Sequence, residues 1–292
     1  MTQFVLGRTL SDGRWITTDT NQNSELFWAL RGGGGNFGVV TSVHVRLHPI
    51  REVLAGLILF PLSDAESVLH GYAAALVSAP EELGVLAGVL PGPDGSPVVF
   101  LAPLWSGETV DGLPIIAELQ RLGTPILARV GPMAYRDVLG MFDAQIVNGR
   151  HYAMRTRWLA ELTPAAIAEI IAAGSTMTSP YSFIVLHHLR GAATRVSPTS
   201  TAFGLRRQHF MLETVAAWGP SAGDTGDEHR QWAHRLSQTL ASEALPGGYA
   251  NLLGPDDRDQ IALAHGPNIA RLRDAKRRFD PDNMFTAIPL AI

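Results

Sequence analysis

Apolar and polar positions along the chain alternate with a period of two in short runs, and between those runs lie single stretches with the 3.6-residue period of an amphipathic helix. Phe4 to Leu10 alternates as a strand, Ser11-Asp12-Gly13 is a turn, and a second strand passes through Trp15 and Thr17, which predicts a hairpin. Asn23-Ser24-Glu25 starts a short helix over LFWALR, and the glycines after it stop that helix. In VVTSVHVRL, Val40, Ser42, His44 and Arg46 alternate against Val39, Thr41, Val43, Val45 and Leu47, the signature of a strand. Beyond Pro49 the texture changes, which places a boundary near residue 50.

The longest apolar run, LAGLILFPL, is strand-sized and well short of the roughly 18 residues of a membrane span. Ser63 to Glu66 has the spacing of a capping box ahead of a helix to Val77. Strands are predicted at Leu83 to Leu90 and Pro97 to Trp105, split by the turn sequence PGPDGS. Helices follow from Val110 to Leu122 and from Thr163, with Pro164 in the first turn, to Gly174. Further strands are predicted at Ser182 to Leu189 and Phe210 to Trp218, then a helix at Glu228 to Ala241. Two short helices lie between Gly254 and Arg278, and Asp280-Pro281 ends the second. The pattern predicts an α+β fold, an antiparallel sheet flanked by helices.

Charge narrows the partners. A net charge of -4 argues against a nucleic-acid backbone, and the basic stretch RLRDAKRR (Arg271 to Arg278) reads as a solvated helix face whose last-turn cations suit the helix dipole. With no cysteine, disulfides, thiolate metal sites and a cysteine nucleophile are excluded, and no histidine or carboxylate recurs at metal-ligand spacing. MTQFVLGRTLSDGR lacks the pattern of a signal peptide, so the expectation is a soluble, cytoplasmic protein without a membrane partner.

Within RGGGGNFGVVT, Gly33, Gly35 and Gly38 spell G-x-G-x-x-G. A dinucleotide loop requires the order strand, glycines, helix, because the diphosphate sits at a helix N-terminus. Here a helix precedes the glycines and a strand follows, so that reading fails on context. Glycines at a helix stop supply positive φ at no steric cost. Four in a row, Gly32 to Gly35, also describe a backbone left bare for a flat or charged ligand.

ELFWALRGGGGNFGVVTSVHVRLHP resembles the segment that closes the flavin-binding domain of the FAD-linked oxidases, the berberine bridge enzyme-like family with the vanillyl-alcohol oxidase fold. YANLLG and HGPNIARLRDAKRRFDPDNMF resemble the same family's ending, and TRWLAEL, IVLHHLRGA and TAFGLRRQHFMLETVAAW read like its members. The resemblance implies three stretches: 1–50 as a remnant of the second FAD-binding subdomain, 51–245 as an α+β substrate-binding domain, and 246–292 as a segment returning to the flavin side. It implies that an amino-terminal FAD subdomain precedes residue 1 in such enzymes, and none of the ten histidines has the glycine-rich setting of a covalent flavin attachment.

By that resemblance FAD is the cofactor, and Gly33, Gly34, Gly35, Asn36, Gly38, Val39 and Val40 form the turn that meets it, with Asn251 reaching it by side chain. Tyr249, two positions before Asn251, is a candidate for proton transfer, since a period of two sets both on one strand face. The alternative for Tyr249 is a buried tyrosine with a satisfied hydroxyl. His187 and His188 lie in a strand-like run and point to opposite faces, and His187 matches the family's sheet-facing position. Tyr152 and Arg155 fall where the family places an aromatic-rich strand and are read as pocket lining. Some positions depart from the family: His265 stands for a tyrosine, Leu205 for a histidine, Met154 for a tryptophan, and Ile288-Pro289 for an Asn-Gln pair.

Three functions follow as expectations. The first is an FAD-dependent oxidoreductase acting on an alcohol or amine of a hydrophobic small molecule, in secondary metabolism, with the missing FAD half supplied elsewhere or lost. The second is a cofactor-independent cyclase, dehydratase or isomerase using Tyr249, His187 or His265 for acid–base work. The third is a non-catalytic complementing subunit, a homodimer or the partner of an FAD-domain chain, with an exposed apolar face.

Overall fold

The computed structural model describes residues 5–9, 13–50, 52–221, 225–287 and 290. Its chain forms two units: residues 1–49, 190–208 and 246–292 make the first, and 50–189 with 209–245 the second. The first unit begins with β1 (Val5–Thr9), β2 (Trp15–Thr18), α1 (Ser24–Leu30) and β3 (Val39–His44). In the second, β4 (Glu52–Pro61), α2 (Ala65–Val77), β5 (Leu83–Pro91), β6 (Pro97–Trp105), α3 (Thr109–Gln120), β7 (Leu127–Ala134) and α4 (Tyr135–Leu139) come first. They are followed by β8 (His151–Leu159), α5 (Pro164–Ser175), β9 (Phe183–Leu189), β10 (His209–Trp218) and α6 (Asp227–Thr239). The chain then returns to the first unit with α7 (Arg258–Leu263) and α8 (Ile269–Phe279). No helix among the described residues is long and apolar enough to cross a membrane.

The second unit is the α+β body expected from the pattern. Its seven strands run in the order β7-β4-β6-β5-β9-β10-β8, every pair antiparallel. One face packs against the helices: Leu54, Ile58, Leu101, Val89, Ile184, Leu186, Leu212 and Ala216 meet Leu69 and Tyr72 of α2, Ile116 of α3, Ile170 of α5 and Trp232 of α6. Each Val, Leu or Ile among them, fully buried, contributes about 1.5–3 kcal/mol. At the β7–β4 end the other face is covered by Met141 and Phe142, which pack on Leu59, Val98 and Phe100. Periodicity did not reveal β7, whose burial does not alternate because it is an edge strand.

Two local expectations need correction. Ser63 and Glu66 form no capping box: a single 3₁₀ turn, Leu62–Asp64, leads into α2, and Asp64 precedes the helix without a side-chain cap. Its carboxylate accepts instead from Ser63 Oγ and from the Thr124 amide. The cap at Thr163 does form, accepting the Ala166 amide at 3.0 Å with Pro164 behind it. In the hairpin, β1 and β2 pair as expected, while Phe4, Leu10, Ser11 and Asp12 lie outside the described residues.

In the first unit β1 pairs with both β2 and β3, and a small core joins Leu26, Trp28 and Ala29 of α1 to Phe37, Ala202 and Leu272, Ala275 and Phe279 of α8. Here the reading of RLRDAKRR as a solvated face fails at one position. Lys276 is 5% exposed, and its ammonium donates to Asp280 Oδ2 (2.5 Å), the Asn36 carbonyl (2.9 Å) and the Phe285 carbonyl (2.6 Å). Asp280 also accepts the amides of Met284 and Phe285. Burial pushes this carboxyl up, but Lys276 and the two amides outweigh it and hold its pKa below the ordinary value.

Replacing Lys276 with Met leaves a buried, uncompensated carboxylate, so urea unfolding of Lys276→Met is expected to show a loss of about 3–5 kcal/mol. Because the folded Asp280 pKa is lowered, its contribution is fully present above the ordinary carboxylate pKa of about 4 and is lost as pH falls through the lower folded value. Wild-type stability is therefore expected to fall in acid with a component that Lys276→Met lacks.

Candidate functional site

Register decides which side chains share the sheet face opposite the helices. Leu86, His187, Met211 and Trp158 lie in one cross-strand row of that face, and Gly88, Val185, Glu213 and Thr156 in the next. His187 and Glu213 are diagonal neighbours, with Nε2 and Oε2 2.9 Å apart. Their side chains are 33% and 15% exposed, so the pair is sheltered yet open to a small molecule. With the carboxylate ionised, His187 Nε2 is the donor, and Glu213 keeps acceptor capacity on its second oxygen. Among the described residues no group of three His, Asp or Glu could hold a metal ion.

Glu213 escaped the reading of the sequence although a signal was present. HFMLETVAAW is otherwise an apolar strand, and a carboxylate at its centre needs a partner or a task. His187 and His188 do point to opposite faces: His188 stacks on Phe210 at 4.5 Å, on the helix side. Tyr152 and Arg155 likewise fall on opposite faces, because they are three apart on β8. Tyr152 is opposite Ala217, in the same face as Glu213, whereas Arg155 is opposite Thr214. The two therefore cannot line one surface of the sheet. Tyr152 holds the turn before its strand, donating to the Val147 carbonyl and accepting from its amide.

In the first unit the glycine turn is packed by the chain itself. A Cβ on Gly33 would come within 2.5 Å of the Ala29 carbonyl and 2.7 Å of Leu272 Cδ1, and one on Gly32 within 2.1 Å of the Phe203 amide nitrogen. These two glycines are required by internal packing, whatever else they meet. Gly34 and Gly38, with φ of 68° and 139°, need the left-handed freedom of glycine. Asn36 is buried, donating its amide to the Gly33 carbonyl, while Gly35 lies beside Ala287. Val39 and Val40 are 56% and 41% exposed, unusual for valines opening a strand.

Tyr249 and Asn251 come together, but not on a strand. Tyr249 precedes a 3₁₀ turn, Ala250–Leu252, and Asn251 Nδ2 donates to the Tyr249 hydroxyl at 3.2 Å. Phe203 meets the Tyr249 ring edge-to-face at 6.1 Å. His265 is 3% exposed, its Nε2 has no partner, and burial lowers its pKa, which keeps the ring neutral. Such a histidine is poorly placed to exchange protons with a substrate. Ile288 and Pro289 lie outside the described residues.

A family model described as berberine and berberine-like matches residues 248–288. The chain is 29% identical over 289 residues to the FAD-linked oxidoreductase aurO of Gibberella zeae, covering 96% of this chain and 56% of that protein. It is 27% identical to (R)-6-hydroxynicotine oxidase of Paenarthrobacter nicotinovorans, covering 96% and 64%. Among solved structures, BBE-like protein 28 from Arabidopsis thaliana superposes with a TM-score of 0.85 at 18% identity, covering all of this chain and 67% of that one. GilR bound to pregilvocarcin, described as catalysing the terminal step of gilvocarcin biosynthesis, gives 0.79 at 21%, covering 97% and 68%. The chain thus spans less than two thirds of these curated relatives, and the structural likeness establishes the fold.

The packing of the glycine turn separates structure from ligand. Gly33→Ala is expected to destabilise the protein by about 1–3 kcal/mol in thermal or urea unfolding without any ligand, as overpacking does.

Proposed function

We propose that this chain, which belongs to the berberine bridge enzyme-like family of FAD-linked oxidoreductases, supplies the substrate-binding sheet and part of the flavin-facing surface of an enzyme oxidising an alcohol or amine on an apolar small molecule. The observation that carries the reading is the His187–Glu213 pair, a sheltered carboxylate with its hydrogen-bond partner on the sheet face opposite α2, α3, α5 and α6. Leu86, Val185 and Met211 provide apolar surroundings for a substrate there. Glu213 accepts the proton of the substrate hydroxyl or ammonium, and His187 orients the carboxylate and stabilises its charge. The reading that the substrate is a secondary metabolite rests on likeness alone.

FAD, when bound, supplies the hydride acceptor. The residues present fit its flat ring: Val39 and Val40 are apolar and exposed beside Gly38, and Asn251 offers an exposed amide, so these would hold the ring side of the cofactor. Gly33 and Asn36 would act behind them by shaping the turn. In the first unit the Tyr249–Asn251 hydrogen bond supports a second proton-transfer group. The same His187–Glu213 pair could serve cofactor-independent acid–base catalysis, which is the second reading.

Two measurements separate these readings. Flavin absorbance that co-purifies with the protein, or a fluorescence change on titration with FAD, is expected; a colourless protein that FAD does not perturb removes the flavin reading for this chain. With a complete cofactor site and a turned-over substrate, Glu213→Gln is expected to lower kcat by about 10²–10⁴ while leaving flavin uptake unchanged. Unchanged turnover in that variant removes Glu213 as the base.

A further inference from the structure

Two arginines of the first unit are held close together without a carboxylate. Arg31, at the end of α1, donates from Nε to the Phe27 carbonyl (3.2 Å) and from Nη2 to the Ser200 carbonyl (3.3 Å), and its guanidinium lies 4.2 Å over the Phe27 ring. Arg206 donates from Nε to the Phe203 carbonyl (3.2 Å), from Nη1 to the Ala193 carbonyl (3.4 Å) and from Nη2 to Thr201 Oγ1 (2.6 Å), with its guanidinium over the Phe203 ring. Both charges converge on residues 200–203, a segment also tied to α1 by the Phe203 amide donating to the Arg31 carbonyl. Among the described residues neither arginine forms an ion pair.

The arrangement is electrostatically incomplete. Both side chains are half-buried, burial lowers both pKa values, and Arg206 lowers that of Arg31 further, the mark of like charges in each other's field. Carbonyls and ring faces orient a guanidinium but do not neutralise it. Each fork has five N–H donors and leaves some unused. Two adjacent forks with spare donors match an anion with several oxygens, as guanidinium–phosphate recognition requires.

We propose that Arg31 and Arg206 form an oxyanion site for a phosphate or diphosphate group. The site stands immediately before the glycine turn, since Gly32 follows Arg31 and is pressed against Phe203. Its ligand is either free inorganic phosphate or the diphosphate of a nucleotide cofactor, which offer the two guanidinium groups the same oxygens.

Inorganic phosphate, titrated at constant ionic strength against a chloride control, is expected to raise the melting temperature and to bind measurably by calorimetry. Arg31→Met and Arg206→Met are each expected to weaken that binding about tenfold or more, as loss of one charge-assisted contact does. Arg206→Lys, which keeps the charge but not the fork, is expected to retain part of the response. ADP binding about tenfold tighter than phosphate, with the same arginine dependence, identifies a cofactor diphosphate as the source; equal affinities identify free phosphate. Phosphate binding that is absent, matched by chloride, or unchanged in both methionine variants and in Arg206→Lys overturns the site. A phosphate response without any flavin response removes the flavin reading and leaves this site, and the reverse result does the opposite.

Discussion

Alternation across an antiparallel sheet is the constraint on which the larger unit depends. Successive side chains point to opposite faces, and residues paired across strands share one, so the register of seven strands settles every face at once. One face must be apolar enough to hold α2, α3, α5 and α6, and it is. The other is then free to carry groups that a core would not tolerate. His187 and Glu213 occupy it because the pairing register puts them there, just as it carries His188 and Arg155 to the helix side. A slip of one residue in β10 would bury Glu213 under the helices, so the register that builds the core also builds the candidate site.

The smaller unit is organised by charge as well as by apolar burial. Lys276 joins the end of the glycine turn, through the Asn36 carbonyl, to the loop that follows α8, through Asp280 and Phe285. A buried ion pair is weak evidence for net stability, but breaking one partner is costly, and this one fixes where the turn can be. Its glycines then do two jobs. Gly32 and Gly33 let α1, Phe203 and Leu272 close up, while Gly34 and Gly38 permit the path that delivers Val39 and Val40 to an exposed strand start. A ligand-centred explanation of all the glycines was too broad, since packing alone requires two of them.

Much of the fold was legible before the structure. Strands at Leu83–Pro91, Pro97–Trp105, Phe183–Leu189 and His209–Trp218 lie where alternation and turn residues placed them, within a residue or two. The cap at Thr163 was legible because proline and threonine act locally. What was missed depends on neighbours far along the chain. β7 pairs only with β4 and has no distinctive pattern of its own. Ser63 and Glu66 have the spacing of a capping box, yet Asp64 is engaged by Thr124, sixty residues away. Tyr249 and Asn251 were brought together as expected, though by a 3₁₀ turn rather than a strand.

Residue order alone determined the alternation that makes a sheet, the helix-to-strand order that rules out a dinucleotide loop, and the motifs that resemble those of the berberine bridge enzyme-like family. These are local properties, set by side-chain period, glycine freedom and short spacings. Tertiary structure decided the partners: Glu213 for His187, Asp280 and Asn36 for Lys276, and residues 200–203 for both Arg31 and Arg206. No short window of sequence contains the pairs His187–Glu213, Lys276–Asn36 or Arg31–Ser200, because each is made by register or by chain return across tens to hundreds of residues, whereas Asp280 lies one helical turn from Lys276 and Thr201 lies close to Arg206 in the chain. Burial then changed what a residue can do, turning the basic side chain of Lys276 into a tether and leaving His265 a neutral ring inside the protein.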